Sequence, residues 1–349
     1  MSARFFPLVA VLACGLSLSS VARAYTIGTG FTEGCHERIT ATAFSEFVGL
    51  LEVPVTLPDE DEEDQDWKRV GQFLVRSAGI DRGTLTETEF FILHSLLAGV
   101  RSPDTAGHSV LNLDRARSLH TDPAPMGQYE HSLRATTDDF EEGNRSAVEG
   151  MRAVIAAEIT ESLLLDDDLI EVSVFFDFYG TVEVDVWAPA YHLGRAAHAV
   201  QDSFSHTIRD EADGFHSVLQ VLNFAEAVAG TLQEDRDGLA HSTVLDSCDA
   251  ETEAVVAAAQ LATQQLFLTA GEARTTGTTE SIDRFLGDWY GFRPGCNADN
   301  EYCGNLRQVE IARATPTGPF LCNAAHGGLR PKSLPLLFVL FIAGCRRRR

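Results

Sequence analysis

The stretch from Tyr191 to Thr207, YHLGRAAHAVQDSFSHT, narrows the options for this chain more than any other. His198, Asp202 and His206 follow one another at steps of four. On an α-helix such a step leaves neighbours only about 40° apart around the axis, so all three side chains leave from one narrow face. Ala196, Ala197 and Ala199 favour helix and keep that face slim. Two imidazoles and a carboxylate within reach of one point make a site for Zn2+ or a similar metal. The plain alternative is a buried helix whose histidines are satisfied by their neighbours. A single His would fit that alternative; His-x3-Asp-x3-His with Arg195 and Gln201 beside it points to a metal.

The chain around this stretch has 349 residues, 44% of them hydrophobic, enough to bury a real core; with the ends trimmed, one large domain or one domain with an appendage fits. Its 51 Asp and Glu against 27 Lys and Arg leave a net charge of −24. Such a body repels nucleic-acid phosphate and anionic membrane surfaces at long range, so no long nucleic acid is expected as a partner. A small cationic metal pocket remains compatible with it, because bound ions dominate the field around them.

Both ends read as sorting devices. Arg4, the apolar run from Phe6 to Ser17 and the small-x-small pattern Val21-Ala22-Arg23-Ala24 predict a signal peptide over residues 1–24, with Tyr25 opening the mature chain. At the other end Cys322-Asn323-Ala324-Ala325 precedes an apolar stretch from Leu334 to Gly344 and then Arg346 to Arg349. That order resembles the C-terminal cell-surface sorting tags of Gram-negative bacteria, most closely the myxobacterial type. The resemblance makes Cys322 the processed residue and residues 322–349 an anchor to the membrane. A simple hydrophobic tail with basic stop-transfer residues is the other reading. Either one makes the protein exported, at the cell surface or outer membrane.

Of seven cysteines, Cys14 falls in the signal and Cys345 in the tail. Export permits disulfides among the rest. Cys296 and Cys303 close a short loop rich in Asn, Asp and Gly and make the best pair; Cys35 with Cys248 is left by elimination.

Apolar residues at helical spacing predict helices after Cys35, over Trp67–Ala78, over Thr86–Leu97 and over Ser146–Leu164. The same spacing predicts helices over His216–Gly230, Ala250–Leu268 and Ile282–Trp289. Pro103 should end the Thr86 helix and leave Asp104 in a loop just beyond it. Glu171 to Trp187 alternates and is rich in Val and Phe, which predicts a small β-hairpin inserted before the central helix. Thr275–Thr279 reads as a linker and residues 304–333 as poorly ordered. The whole reads as an all-α, multi-helix bundle: a helical metal-binding domain over 25–292, then a disulfide loop and linker over 293–321.

Candidate ligands recur along this helical pattern from His36 to His216, and the central wording is Leu193-Gly194-Arg195-Ala196-x-His198-x-x-Gln201-Asp202-x-x-Ser205-His206. It resembles the zinc-dependent phospholipase C and single-strand nuclease superfamily, closest to its HET-C-like branch, over about residues 34 to 230. The resemblance implies one to three zinc ions. Carried over residue by residue, Asp104, His131, His198 and Asp202 match the first zinc site. Asp202 then bridges to a site with His36 and the mature N-terminus, and His206 and His216 match another. Two departures stand out: Gln220 takes the place of a Glu four residues after the last His, with Glu226 the nearby acidic alternative, and Tyr25 precedes His36 by eleven residues.

The chemistry expected is metal-activated water attacking a phosphodiester, with Asp104 also orienting the water as general base and Arg195 meeting a phosphate. That makes the leading reading a surface-anchored zinc-dependent phosphodiesterase, phospholipase C-like, with phospholipid head groups favoured. Two others stand beside it: a non-catalytic exported scaffold with structural zinc, and a zinc-dependent nuclease, which would want stacking aromatics at its pocket.

Overall fold

Helices supply most of the described residues in the computed structural model. It describes residues 27, 34–47, 55–58, 66–109, 112–165, 167–176, 180–242, 244–246, 248 and 252–314, all within one unit of residues 1–317. The signal peptide, most of the acidic run after Asp59, and the tail with Cys322 lie outside the described residues.

The first half runs α1 (Cys35–Phe47), α2 (Asp66–Ser77), α3 (Glu87–Thr105), α4 (Leu113–His120), α5 (Pro125–Glu130) and α6 (Phe140–Leu164). Then come β1 (Leu169–Phe176), β2 (Gly180–Trp187) and α7 (Ala188–Ser205), the helix of the central motif. The second half is β3 (Thr207–Arg209), β4 (Ser217–Val221), α8 (Ala225–Ala229), α9 (Glu234–Asp237), α10 (Glu253–Thr276), α11 (Glu280–Trp289), β5 (Gly291–Phe292) and α12 (Leu306–Ala314). No described helix is long and apolar enough to cross a membrane.

Two helices form the spine. Helix α3 starts in a capping box, Thr86 accepting from Glu89 N and the Glu89 carboxylate accepting from Thr86 N. From Phe90 to Val100 every one of its side chains is buried, so it runs through the middle of the core. Helix α7 lies against it at backbone contact. A Cβ placed on Gly99 would stand 2.0 Å from the Tyr191 carbonyl oxygen, and one on Gly194 2.2 Å from that of Leu96. Only glycine at both positions lets the helices come this close. Helices α1, α2, α6 and α10 pack around the pair, sharing one core that includes Phe44, Leu74, Ile155, Val200, Leu266 and Trp289.

Helix-rich is borne out; strictly all-α is not. The predicted hairpin is present, β1 antiparallel to β2 with Leu169 opposite Trp187 and Phe176 opposite Gly180. A second sheet orders β3-β4-β5, with β3 antiparallel and β5 parallel to β4. It occupies ground expected to be helix, since His216–Gly230 holds β4 and only a short α8. The reason is that Val218, Leu219, Val221 and Leu222 are all buried. A strand covered on both faces shows no alternation, and its apolar run is indistinguishable from a buried helix face.

Three further expectations are corrected. Helix α3 passes through Pro103 to Thr105, so Asp104 sits in its last turn instead of a loop. The proline removes one donor, and the Thr105 hydroxyl on Arg101 O (2.9 Å) and Ala106 N on Ser102 O (2.8 Å) close the turn. Helix α10 continues into the expected linker as far as Thr276 and is capped by Gly277, whose φ of +68° is left-handed. Residues 306–314 form α12, whose Val309 and Ala312 are buried in a small second core with Ile208, Leu219, Leu239 and Tyr302. Both expected disulfides are present: Cys296–Cys303 with Cα atoms 5.2 Å apart, and Cys35–Cys248 at 5.7 Å.

Candidate metal centre

The α3–α7 contact brings the last turn of α3 beside the middle of α7. Asp104 thereby faces His198 and Asp202, and His131, just past α5, completes a group of four. The same four atoms face one another throughout. Asp104 Oδ1 is 3.5 Å from His131 Nδ1 and 3.8 Å from His198 Nε2. His198 Nε2 is 3.4 Å from His131 Nδ1. Asp202 Oδ2 is 3.0 Å from His198 Nε2 and 3.6 Å from His131 Nδ1. Four ligands about 2.0–2.1 Å from a tetrahedral zinc ion stand about 3.3 Å from one another, so these separations are those of a ligand shell. All four residues are buried, none more than 8% exposed.

The second oxygens of both carboxylates turn to α1. His36 Nε2 lies 3.2 Å from Asp202 Oδ1 and 3.9 Å from Asp104 Oδ2. Asp202 thus faces the four-residue group with Oδ2 and His36 with Oδ1.

A further group gathers at the end of α7. His206 caps that helix, its N–H still reaching Asp202 O at 2.8 Å. The backbone then sets a partner beside it. Leu222 N donates to His206 O at 2.9 Å, and the next residue, Asn223, forms a bridge to Ala240. That places His241 and Asp246 against His206: Asp246 Oδ1 is 3.2 Å from His206 Nε2 and 3.0 Å from His241 Nε2. The ligand atoms of His206, His241 and Asp246 lie within 4.8 Å of one another, as do those of Asp104, His131, His198 and Asp202.

The outward nitrogens are anchored. His36 Nδ1 meets Gln201 Oε1 at 2.7 Å, His198 Nδ1 meets Val100 O at 3.0 Å, and His206 Nδ1 meets His131 O at 2.5 Å. Each acceptor holds the proton on Nδ1 and leaves the Nε2 lone pair facing inward, as metal-binding histidines require. Inside, neither carboxylate oxygen of Asp104 or Asp202, nor Asp246 Oδ2, receives a well-aligned hydrogen bond, although all are buried and histidine nitrogens stand 3.0–3.9 Å from them. Buried acceptors left open this way are costly unless a cation takes them. The donor set, imidazole and carboxylate, fits zinc or a similar divalent ion.

The electrostatics agree. Burial opposes a charge on His36, but the Asp202 and Asp104 carboxylates overcome it and push it up to about 9. His206 is likewise pushed up to about 9, with burial outweighed by Asp202 and Asp246. Burial and the neighbouring His120 push His131 down to about 4. Asp202 is held well below the usual carboxylate range by His198 and His206 in spite of burial. The carboxylates therefore stay ionised and draw positive charge, which a metal ion supplies by displacing protons.

Of the expected ligands, the structure brings together His36, Asp104, His131, His198, Asp202 and His206. His216 is not among them. It precedes β4, stacks on Trp289 with ring centroids 4.2 Å apart, and its Nδ1 meets Asp288 O at 2.9 Å. Its place beside His206 is taken by His241, and Asp246 supplies the carboxylate. Gln220 is no failed ligand: it accepts from Asn144 and donates to Cys296 O. Glu226 is held by Asn223 and Arg236. Arg195 spends its guanidinium on Glu158, Glu130 and Ser102, tying α7 to α6, α5 and α3. His120, also unassigned from sequence, lies with Nε2 3.2 Å from Asp104 Oδ1 and its ring stacked on His131 at 4.1 Å. No protein-family model matches this sequence, and neither a curated protein nor a solved structure matches the chain.

Proposed function

We propose that this protein is an exported, zinc-dependent phosphodiesterase that hydrolyses small phosphodiesters, phospholipid head groups favoured, with metal-activated water. The observation that carries the reading is Asp202: one buried carboxylate facing a four-residue group with Oδ2 and His36 with Oδ1, and sitting one helical turn from His206 and its own group. Clustered sites of this kind suit in-line displacement at phosphorus. Bound divalent ions would supply a hydroxide near neutral pH and neutralise the charge that develops on the phosphoryl oxygens.

The chain's own residues do the rest. Asp104, His131, His198 and Asp202 would hold the first ion, His206, His241 and Asp246 another, and His36 with Asp202 a third position. Asp104 is the most exposed member of its group, which suits the carboxylate that orients a water as base. The two disulfides fit the oxidising compartment that an exported protein meets.

Four protein ligands can also close a site, and closed zinc sites are structural; this favours the scaffold as second reading. Metal analysis of the purified protein with hydrolysis of bis(p-nitrophenyl) phosphate and of phosphatidylcholine separates the two. The expected result is two or three zinc ions per chain, diester hydrolysis that stops on chelation, and loss of both metal and activity in Asp202→Asn. Full zinc without turnover on either substrate would leave the scaffold. No zinc after reconstitution would overturn both.

A further inference from the structure

The smaller metal group hangs on a segment with little structure of its own. Between Gly238 and Thr252, where His241 and Asp246 sit, the described residues form no helix or strand beyond the single bridge of Ala240 to Asn223. That bridge fixes the near end, with Asn223 N on Leu239 O at 2.9 Å and His241 N on Asn223 O at 3.1 Å. Ser242 adds a tie to Ile311 O at 3.1 Å. Beyond Asp246 the next anchor is covalent, the bond from Cys248 to Cys35. Arg38 reinforces it by donating to Cys248 O at 3.0 Å.

The position of this bond is specific. Cys35 opens α1 immediately before His36, and Cys248 lies two residues past Asp246. It therefore joins two ligand-bearing segments on either side of Asp202. We propose that the Cys35–Cys248 disulfide is the positioning device of the smaller group, and that His206, His241 and Asp246 take a divalent metal tightly only when it is formed. This rests on the reading of the cluster as a metal centre.

Without the bond the segment after Asp246 would keep only the Arg38 hydrogen bond to Cys248 O before α10 begins at Glu253, and the cost of ordering Asp246 would fall on metal binding. The four-residue group has no such dependence, since α3, α7 and the end of α5 carry it. His36 keeps its place as well, through Gln201 on its Nδ1 and the buried pair of Glu37 with Arg101. Forming the bond takes one electron and one proton from each thiol and gives both electrons to an exchanging disulfide, which leaves as a dithiol. Cys248 is half-buried and within reach of that exchange, while Cys35 is buried. The centre is then completed only where disulfides form, after export.

The test compares the oxidised full-length protein with Cys35→Ser/Cys248→Ser and Cys296→Ser/Cys303→Ser, each loaded with zinc or cobalt. Metal content against a competing chelator and the cobalt absorption spectrum are read, with helical circular dichroism as a check on folding. The first variant should keep the metal of the four-residue group and bind that of the smaller group roughly 10–100-fold more weakly; the second should match the parent. Wild-type affinity for every ion in Cys35→Ser/Cys248→Ser overturns the proposal and leaves the metal reading standing. A parent protein that binds no metal overturns both. If the first variant fails to fold, loaded parent protein is treated with a phosphine reductant, which takes the oxygen of one water and leaves as its oxide while two thiols form. Release of the smaller group's ion with helicity retained supports the proposal; release of none, or of all ions together with the fold, overturns it.

Discussion

At the scale of single residues, the buried histidines divide by what faces them. For His36 and His206 the facing carboxylates outweigh burial and push the pKa up, for His131 and His241 burial wins in spite of the carboxylates beside them, and His94 shows what burial does without any such partner. It sits in the middle of α3 among Trp67 and Phe91, with ring centroids about 6 Å away, and burial pushes it down to about 4, a contact to the Asp185 backbone offsetting only part. Its ordinary value is 6.5, so between 6.5 and 4 the unfolded chain binds a proton that the folded chain refuses. The stability His94 allows is thus fully present above 6.5 and is lost as pH falls through 4, up to about 3 kcal/mol. His94→Leu should flatten that acid loss, seen as a smaller drop in urea midpoint from pH 7 to pH 4.5 than the parent shows. An equal drop in both proteins would remove His94 as the cause.

At the scale of elements, the candidate metal centre is made by the crossing of α3 and α7, and the crossing is made by Gly99 and Gly194. A methyl group at Gly99 would overlap the Tyr191 carbonyl and could be relieved only by moving a helix. Gly99→Ala should cost about 1–3 kcal/mol or more, since overpacking at a backbone contact leaves no flexible side chain to yield. Because Asp104 lies on the same helix, metal should be lost along with stability. Thermal melts and zinc content of Gly99→Ala check this, and a variant with parental zinc and a parental melting temperature would mean that the helices meet less tightly than the glycines imply. The sheet β3-β4-β5 plays the corresponding part for the other group, carrying the chain from His206 back to Asn223, where the His241 segment attaches.

For the whole molecule, the ligands come from α1, α3, the end of α5, α7 and the irregular segment before α10, so bound ions would cross-link most of the fold. A ligand that binds only the folded state at a thousand times its dissociation constant adds about 4 kcal/mol. In a chain of this size that amounts to a melting temperature on the order of 10 °C higher. Stripping the metal with a chelator should lower it by that much, and added zinc should restore it. A melting temperature indifferent to chelator would mean the cluster contributes nothing to stability. The acidic balance of −24 works in the same direction, since ions bound inside the fold would offset part of its self-repulsion.

The candidate ligands on α7 were legible in the sequence. His198, Asp202 and His206 stood out because helical periodicity turns spacing into a shared face, and the rank of a helix N-terminus or hairpin is a local matter that nearby residues decide. The cysteine pairing was also legible, because few partners remained once both ends were set aside. Only the tertiary structure chose between His216 and His241 as the companion of His206. One sits before a strand and stacks on Trp289; the other lies in a segment with no period at all, so nothing in its spacing marks it. Asp246 and His120 carry no such mark for the same reason, and β4 reads as helix in the sequence because burial on both faces erases alternation. Periodicity reports what a segment does within itself; which irregular segment crosses to meet it depends on backbone pairing and a disulfide between residues 213 apart, and no local pattern encodes that.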